Sequence, residues 1–210
     1  AQKGEHAVFL SGNFPLVSVL QEALARDKVE QEKQRGGSIS KKDALRSTSA
    51  FIQIIHKYRD SFVGNHNVPP ERVAIFDEAQ RAWTQDMIEK FMATKKGVSP
   101  FLYSEPEFLI STMDRHKDWV VVICLVGGGQ EINTGEAGLP EWFDSLRRAF
   151  PDWDVYITPQ LNDEEYRRGR SWSSMLEGLN IFEREKLHLA TSVRSFRTPD
   201  LAAFVKAVLD

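Results

Sequence analysis

Only one cysteine, Cys124, occurs in the 210 residues, so no disulfide can form within the chain, and its place in the apolar run WVVVICLV argues against a reactive thiol. This usage fits a reducing compartment and a cytoplasmic protein. Long apolar runs are absent as well: none approaches the roughly 20 residues of a membrane-spanning helix. The opening AQKGEHAVFL lacks the basic, apolar and small-residue zones of a signal peptide. No membrane partner is expected. The five histidines, His6, His56, His66, His116 and His188, show no i, i+4 pair and no cysteine cluster, against a zinc site. Ser11, Ser111 and Ser192 stand outside any G-x-S-x-G context, which leaves serine hydrolysis unsupported. Nor does one sign of charge dominate: 27 basic residues oppose 30 acidic ones, for a net charge of -3. Bulk charge would not hold the chain on nucleic acid or on a membrane. No initiator Met is present, and the expectation is a processed chain or a fragment of something longer.

A hydrophobic share of 41% suffices for one sizeable core, and residues 1–210 are expected to form a single domain. HAVFLSGN predicts a strand ending in a turn, and PLVSVLQEALARD a helix with Leu16, Leu20 and Leu24 on one face. The charged segment 28–42 predicts an exposed loop, and residues 43–62 one amphipathic helix carrying Leu45, Phe51, Ile54, Ile55, Tyr58 and Phe62. VAIF at 73–76 is strand-like, and helices are expected within TQDMIEKFMAT and EPEFLISTMDRH. The unbroken run in DWVVVICLVGGGQ predicts a strand covered on both faces. LPEWFDSLRRAF is helical, WDVYITP and LHLATSV are strand-like, and TPDLAAFVKAVLD is a closing helix with Thr198 as its N-cap. Strands alternate with helices almost throughout, so the expected fold is α/β: three layers, with a mostly parallel sheet sandwiched by helices.

In such sheets ligands bind beyond the carboxyl ends of the strands. The stretch VAIFDEAQRAW drives a buried-looking strand straight into Asp77 and Glu78. Two carboxylates there could hold a hydrated Mg²⁺, an ion that prefers oxygen ligands and is usually bound through one or two carboxylates plus substrate phosphates. An acidic pair complementing a helix dipole is the other reading, and this stretch by itself leaves both open. A second polar strand end shifts the balance. LVGGGQ closes the longest apolar run with three glycines that let the backbone approach a ligand closely, followed by the Gln130 amide. YRRGRSW, residues 166–172, joins three arginines to two aromatics and could track a single strand, although a solvated loop is the favoured reading. Trp83, Trp119, Trp142 and Trp153 are expected to pack in the core or between layers.

VAIFDEAQRAW resembles the Walker B, or DEAQ-type motif II, of RecA-like helicase ATPases. CLVGGGQEI resembles motif III of helicase superfamily 1, and LATSVRSFRTPDLAAFV resembles its motif IV. The phrases FIQIIHKYRD, FDEAQRAW, SEPEFLISTMDRHKDWVVVICLVGGGQEINTGEAGLPEW and SVRSF are similar to bacterial proteins carrying a Schlafen-related DNA/RNA helicase domain, over nearly the whole chain. The resemblance implies a P-loop NTPase fold acting on ATP with Mg²⁺, DNA or RNA as a candidate partner, and a second RecA-like domain in the parent chain. It implies Asp77 and Glu78 at the metal, with Glu78 orienting the attacking water. Gly128, Gly129, Gln130 and Arg194 would lie against the nucleotide, Gln130 and Arg194 at its γ-phosphate; Arg197 is the weaker choice.

The phosphate-binding signature G-x-x-x-x-G-K-[ST] is absent, and no Gly-Lys dipeptide occurs. The expectation is therefore a domain fragment lacking the upstream Walker A segment and inactive by itself. In the parent it would be part of an ATP-hydrolysing, helicase-like motor. An NTP-dependent regulatory or defence switch without unwinding is the alternative, and a two-carboxylate metal nuclease a weaker one, with Glu131 the only further motif acid.

Overall fold

Four short strands rich in Val, Ile, Phe and Ala lie side by side, all parallel, in the order β2-β1-β3-β4: β1 is His6–Ser11, β2 Ile52–Ile54, β3 Glu71–Phe76 and β4 Val121–Cys124. The computed structural model of the chain describes residues 6–127 and 135–189. The register sets Leu10 opposite Phe76 and Phe76 opposite Cys124, so the carboxyl ends of β1, β3 and β4 finish level. Helices α3 (Ile55–Phe62), α4 (Gln85–Phe91), α5 (Glu105–Met113) and α6 (Gly138–Ala149) enclose the main core, into which the strands send Val8, Leu10, Ala74 and Phe76. Helices α1 (Phe14–Gln34) and α2 (Lys41–Phe51) pack on each other and on β1 and β2, with their own buried residues outside that core. The architecture is the expected α/β arrangement of a parallel sheet between helices. Strands β5 (Asp154–Ile157) and β6 (Asn180–Glu183) pair separately, also in parallel, and the short helices α7 (Glu164–Arg167) and α8 (Trp172–Leu176) accompany them. Helix α6 joins the two parts, placing Trp142 and Leu146 in the main core and Leu139 and Phe143 in the smaller one. Among the described residues no helix is long and apolar enough to cross a membrane.

Local capping signals fix several helix starts. The Asn13, Ser40 and Ser104 side chains accept from Leu16, Asp43 and Glu107 amides, and Pro15 and Pro106 occupy first-turn positions where no amide is needed. Elsewhere the structure corrects the sequence reading. The expected loop 28–42 is mostly helix, because α1 runs on to Gln34. Its polar side chains pair one turn apart, Arg26 with Glu22 at 2.8 Å and Gln31 with Asp27 at 2.7 Å, and Gly36 at φ 76° stops it. The expected single helix 43–62 is broken by β2, where Ile52, Gln53 and Ile54 pair with Phe9, Leu10 and Ser11. Sheet hydrogen bonds outweigh the helical pattern there. The apolar run of β4 is covered on one face only, since Val121 and Ile123 remain 43% and 40% exposed. Trp83 and Trp153 pack against the core and Trp142 lies inside it, but Trp119 is exposed, with the Arg72 guanidinium over its ring at 5.1 Å. Strand β6 falls in a segment with no strand expectation. Of the expected strand 187–193, residues 187–189 are not strand; the rest, like the closing helix, lies outside the described residues.

A buried ionic hub ties α3, α4 and α5 together. Arg59 is fully buried, and its Nη1 donates to Glu105 Oε1 at 2.8 Å, while Nε and Nη2 reach Asp60 Oδ1 at 3.1 and 3.0 Å. The guanidinium lies 5.1 Å from both the Trp83 and Phe91 ring centroids. Glu105 fixes Trp83 from both sides: Oε2 accepts the Trp83 amide at 3.0 Å and the Glu105 amide donates to the Trp83 carbonyl at 3.0 Å. Desolvating these charges is costly, and the arrangement survives because each finds a partner. Arg59→Met should destabilise the fold by about 3–5 kcal/mol in urea unfolding, since it strands the buried Glu105 carboxylate. The double variant Arg59→Met/Glu105→Gln should be less destabilised than the sum of the two single changes, because the partners are coupled.

Candidate functional site

Strand β3 ends at Phe76, and the chain turns through Asp77 and Glu78 into a single 3₁₀ turn, Ala79–Arg81. The turn is held by both neighbouring strands. The Asp77 amide donates to Leu10 O at 2.9 Å, continuing the ladder to β1, and the Ala79 amide donates to Leu125 O at 2.9 Å just beyond β4. Trp142 of α6 caps it from the core, donating through Nε1 to Ala79 O at 2.8 Å. Downstream, Ala82 and Thr84 bond to Ala137 and Gly135, and Arg81 pairs with Glu136 at 3.1 Å. The residues leading into α6 are thereby tied to the Asp-Glu turn.

Within this frame each carboxylate has a defined partner. Ser11, fully buried at the end of β1, donates its hydroxyl to Asp77 Oδ2 at 3.0 Å. Gln80 is buried and works at both ends of its amide: Nε2 donates to Glu78 Oε2 at 2.7 Å, and Oε1 accepts the Gly127 amide at 3.3 Å. Glu78 is in the left-handed region, φ 53° and ψ 45°, a conformation that costs an L-residue with a Cβ of order 1–2 kcal/mol. It makes no side-chain cap bond to the 3₁₀ turn, and three residues supply little dipole. The helix-dipole reading of the acidic pair therefore loses its support. Asp77 and Glu78 are half-buried oxygen donors at the carboxyl edge of a parallel sheet, the first held by Ser11 and the second by Gln80. That donor set suits a hard cation such as Mg²⁺.

Asp77 and Glu78 thus stand where the sequence placed them, beside the strand end that opens the Gly-rich segment. Gly128, Gly129, Gln130, Glu131, Arg194 and Arg197 lie outside the described residues. Ser11 and Gln80 were not singled out from sequence. The signal for Ser11 was its position, last in an apolar strand before Gly12-Asn13; that for Gln80 was its place inside DEAQ itself. Cys124, at the end of β4, is set among apolar groups, and burial pushes its thiol up to about 12, far from a nucleophile's range. The arginines of YRRGRSW are engaged within the fold. Arg168 Nη1 donates to Glu136 O and Ala137 O, both at 3.1 Å, Arg170 pairs with Asp144 at 2.6 Å, and Arg167 with Glu164 at 2.5 Å.

The match of the chain with known proteins agrees with this geometry at the level of the family. Residues 1–210 match the family model described as Schlafen group 3, DNA/RNA helicase domain, and the chain belongs to that family. It is thus a helicase-like domain. No curated protein and no solved structure matches it.

The strain at Glu78 has a measurable consequence. Glu78→Gly should be more stable than Glu78→Ala by about 1 kcal/mol, because both remove the carboxylate but only glycine adopts φ 53° without a Cβ penalty. Equal urea midpoints for the two variants would mean that the left-handed turn relaxes when the side chain is lost.

Proposed function

We propose that this domain is the ATP-hydrolysing core of a helicase-like motor of RecA type, working in the cytoplasm. The carrying observation is the Asp77-Glu78 turn, hydrogen-bonded to β1 on one side and to the end of β4 on the other. Bound Mg²⁺ would neutralise charge on the β- and γ-phosphates and orient them for in-line attack. Asp77 would hold that ion. Glu78, its carboxylate set by Gln80, would orient and polarise the attacking water. Gln130 and Arg194 are assigned to the γ-phosphate, with the Gly128-Gly129 backbone close to the nucleotide.

The remaining phosphate contacts would come from a Walker A segment elsewhere in the parent chain. Among the described residues the outer edge of β4 has no strand partner, β5 and β6 form a separate pair, and α6 serves both. Apolar side chains on both parts stay exposed, Val121 and Ile123 on one and Tyr156 and Phe182 on the other. A parallel strand between them, ending in a phosphate-cradling loop, would unite the two sheets through the open edge of β4, and the helix following that loop would cover the exposed face. A second RecA-like domain would close the other wall of the nucleotide site. Arg167, Arg168 and Arg170 all have partners within the fold, in keeping with a second reading, an NTP-driven switch that does not unwind.

In the full-length protein Glu78→Gln should lower ATP turnover at least a hundredfold, the lower end of what a positioned general base contributes, while MgATP still binds in calorimetric titration. Parental turnover in that variant would remove Glu78 from catalysis. A strand-displacement assay separates the two readings: turnover without displacement supports the switch.

A further inference from the structure

The hydroxyl of Ser11 carries a single proton and has two neighbours. It accepts the Asn13 amide at 3.2 Å and donates to Asp77 Oδ2 at 3.0 Å. With the acceptor role filled by a backbone amide, the proton is directed at the carboxylate. The position of the hydroxyl is not left to a loop. Ser11 is the last residue of β1, paired with Ile54 of β2 on one side, and on the other the Asp77 amide bonds to Leu10 at 2.9 Å. Asn13, which supplies the amide, caps α1 by accepting from the Leu16 amide at 3.1 Å. The sheet and the start of α1 therefore both fix the direction of one hydrogen bond onto one oxygen of Asp77.

We propose that Ser11 is a positioning residue for the divalent cation: by engaging Oδ2 it locks the plane of the Asp77 carboxylate and presents the other oxygen to the metal. This rests on the reading of Asp77 as the metal-holding group. Without the hydroxyl, Asp77 Oδ2 would lose its fixed donor, and more of the ordering of the carboxylate would fall to the metal-binding step. The group thus acts on cation affinity more than on the chemical step.

The test uses the full-length protein with Ser11→Ala, Ser11→Cys and Asp77→Asn. Ser11→Cys keeps the volume of the fully buried site and offers only a weak S–H donor. ATP turnover is measured as a function of Mg²⁺, and Mn²⁺ binding is followed by electron paramagnetic resonance with and without ATP. Ser11→Ala should raise the Mg²⁺ half-saturation about tenfold, the usual scale for a group one step removed from the metal, and weaken Mn²⁺ binding in parallel. The fall in kcat at saturating Mg²⁺ should be smaller, and Ser11→Cys should lie between. Parental Mg²⁺ half-saturation and Mn²⁺ affinity in both Ser11 variants, with both lost in Asp77→Asn, would overturn the role of Ser11 and leave Asp77 at the metal. Parental metal dependence in Asp77→Asn would overturn the metal reading of Asp77 and Ser11's role with it. A lowered kcat with unchanged metal dependence in the Ser11 variants would mark Ser11 as structural only.

Discussion

The buried Arg59 guanidinium is the constraint on which the candidate site depends. A full positive charge sits in the interior of the helical layer, and its neutralisation by Glu105 and Asp60 dictates where α3 and α5 approach each other. Glu105 passes the constraint on through its two hydrogen bonds to the Trp83 backbone. Trp83 closes the segment that begins at Asp77, so the hub anchors the downstream end of the turn while the β1 and β4 ladders anchor its upstream end. A purely apolar contact would tolerate sliding. Charged groups with fixed donor directions do not, because any displacement leaves a buried charge without its partner.

With both ends fixed, the turn can hold a residue in an unfavourable conformation. Glu78 adopts positive φ at a position where glycine would be less strained, and its carboxylate meets a buried amide that also touches the glycine-rich end of β4. Strain sustained at a polar strand end, within an otherwise regular fold, marks a position where side-chain identity matters more than local stability. Gln80 gives that strand end a direct route to Glu78.

The exposed side of β4 and the separate β5–β6 pair belong to the same account. A run such as WVVVICLV reads as a strand buried on both faces because such runs in parallel sheets normally lie between two helical layers. Among the described residues the two sheets are not paired with each other, and α6 contributes side chains to both of their cores. The apolar character of Val121 and Ile123 is therefore a property of the chain that the described residues use on one side only.

Residue identities by themselves determined the alternation of strands and helices, the capping of α1, α2 and α5, and the placing of Asp77 and Glu78 at a strand end, because caps, apolar periodicity and strand-end polarity are local properties. The longer phrases FIQIIHKYRD, FDEAQRAW and SEPEFLISTMDRHKDWVVVICLVGGGQEINTGEAGLPEW likewise carried the family. Tertiary structure decided the rest. Three residues, Ile52–Ile54, left a helical pattern because an adjacent strand offered them hydrogen bonds, and a charged stretch became the second half of α1, which packs against α2, Lys28 donating to Ser47 at 2.7 Å. Ser11 and Asp77 lie 66 residues apart in the chain, and Arg59 and Glu105 lie 46 apart. Neither partnership has any signature in spacing; only the sheet order and the packing of α3 on α5 bring those groups within hydrogen-bonding distance.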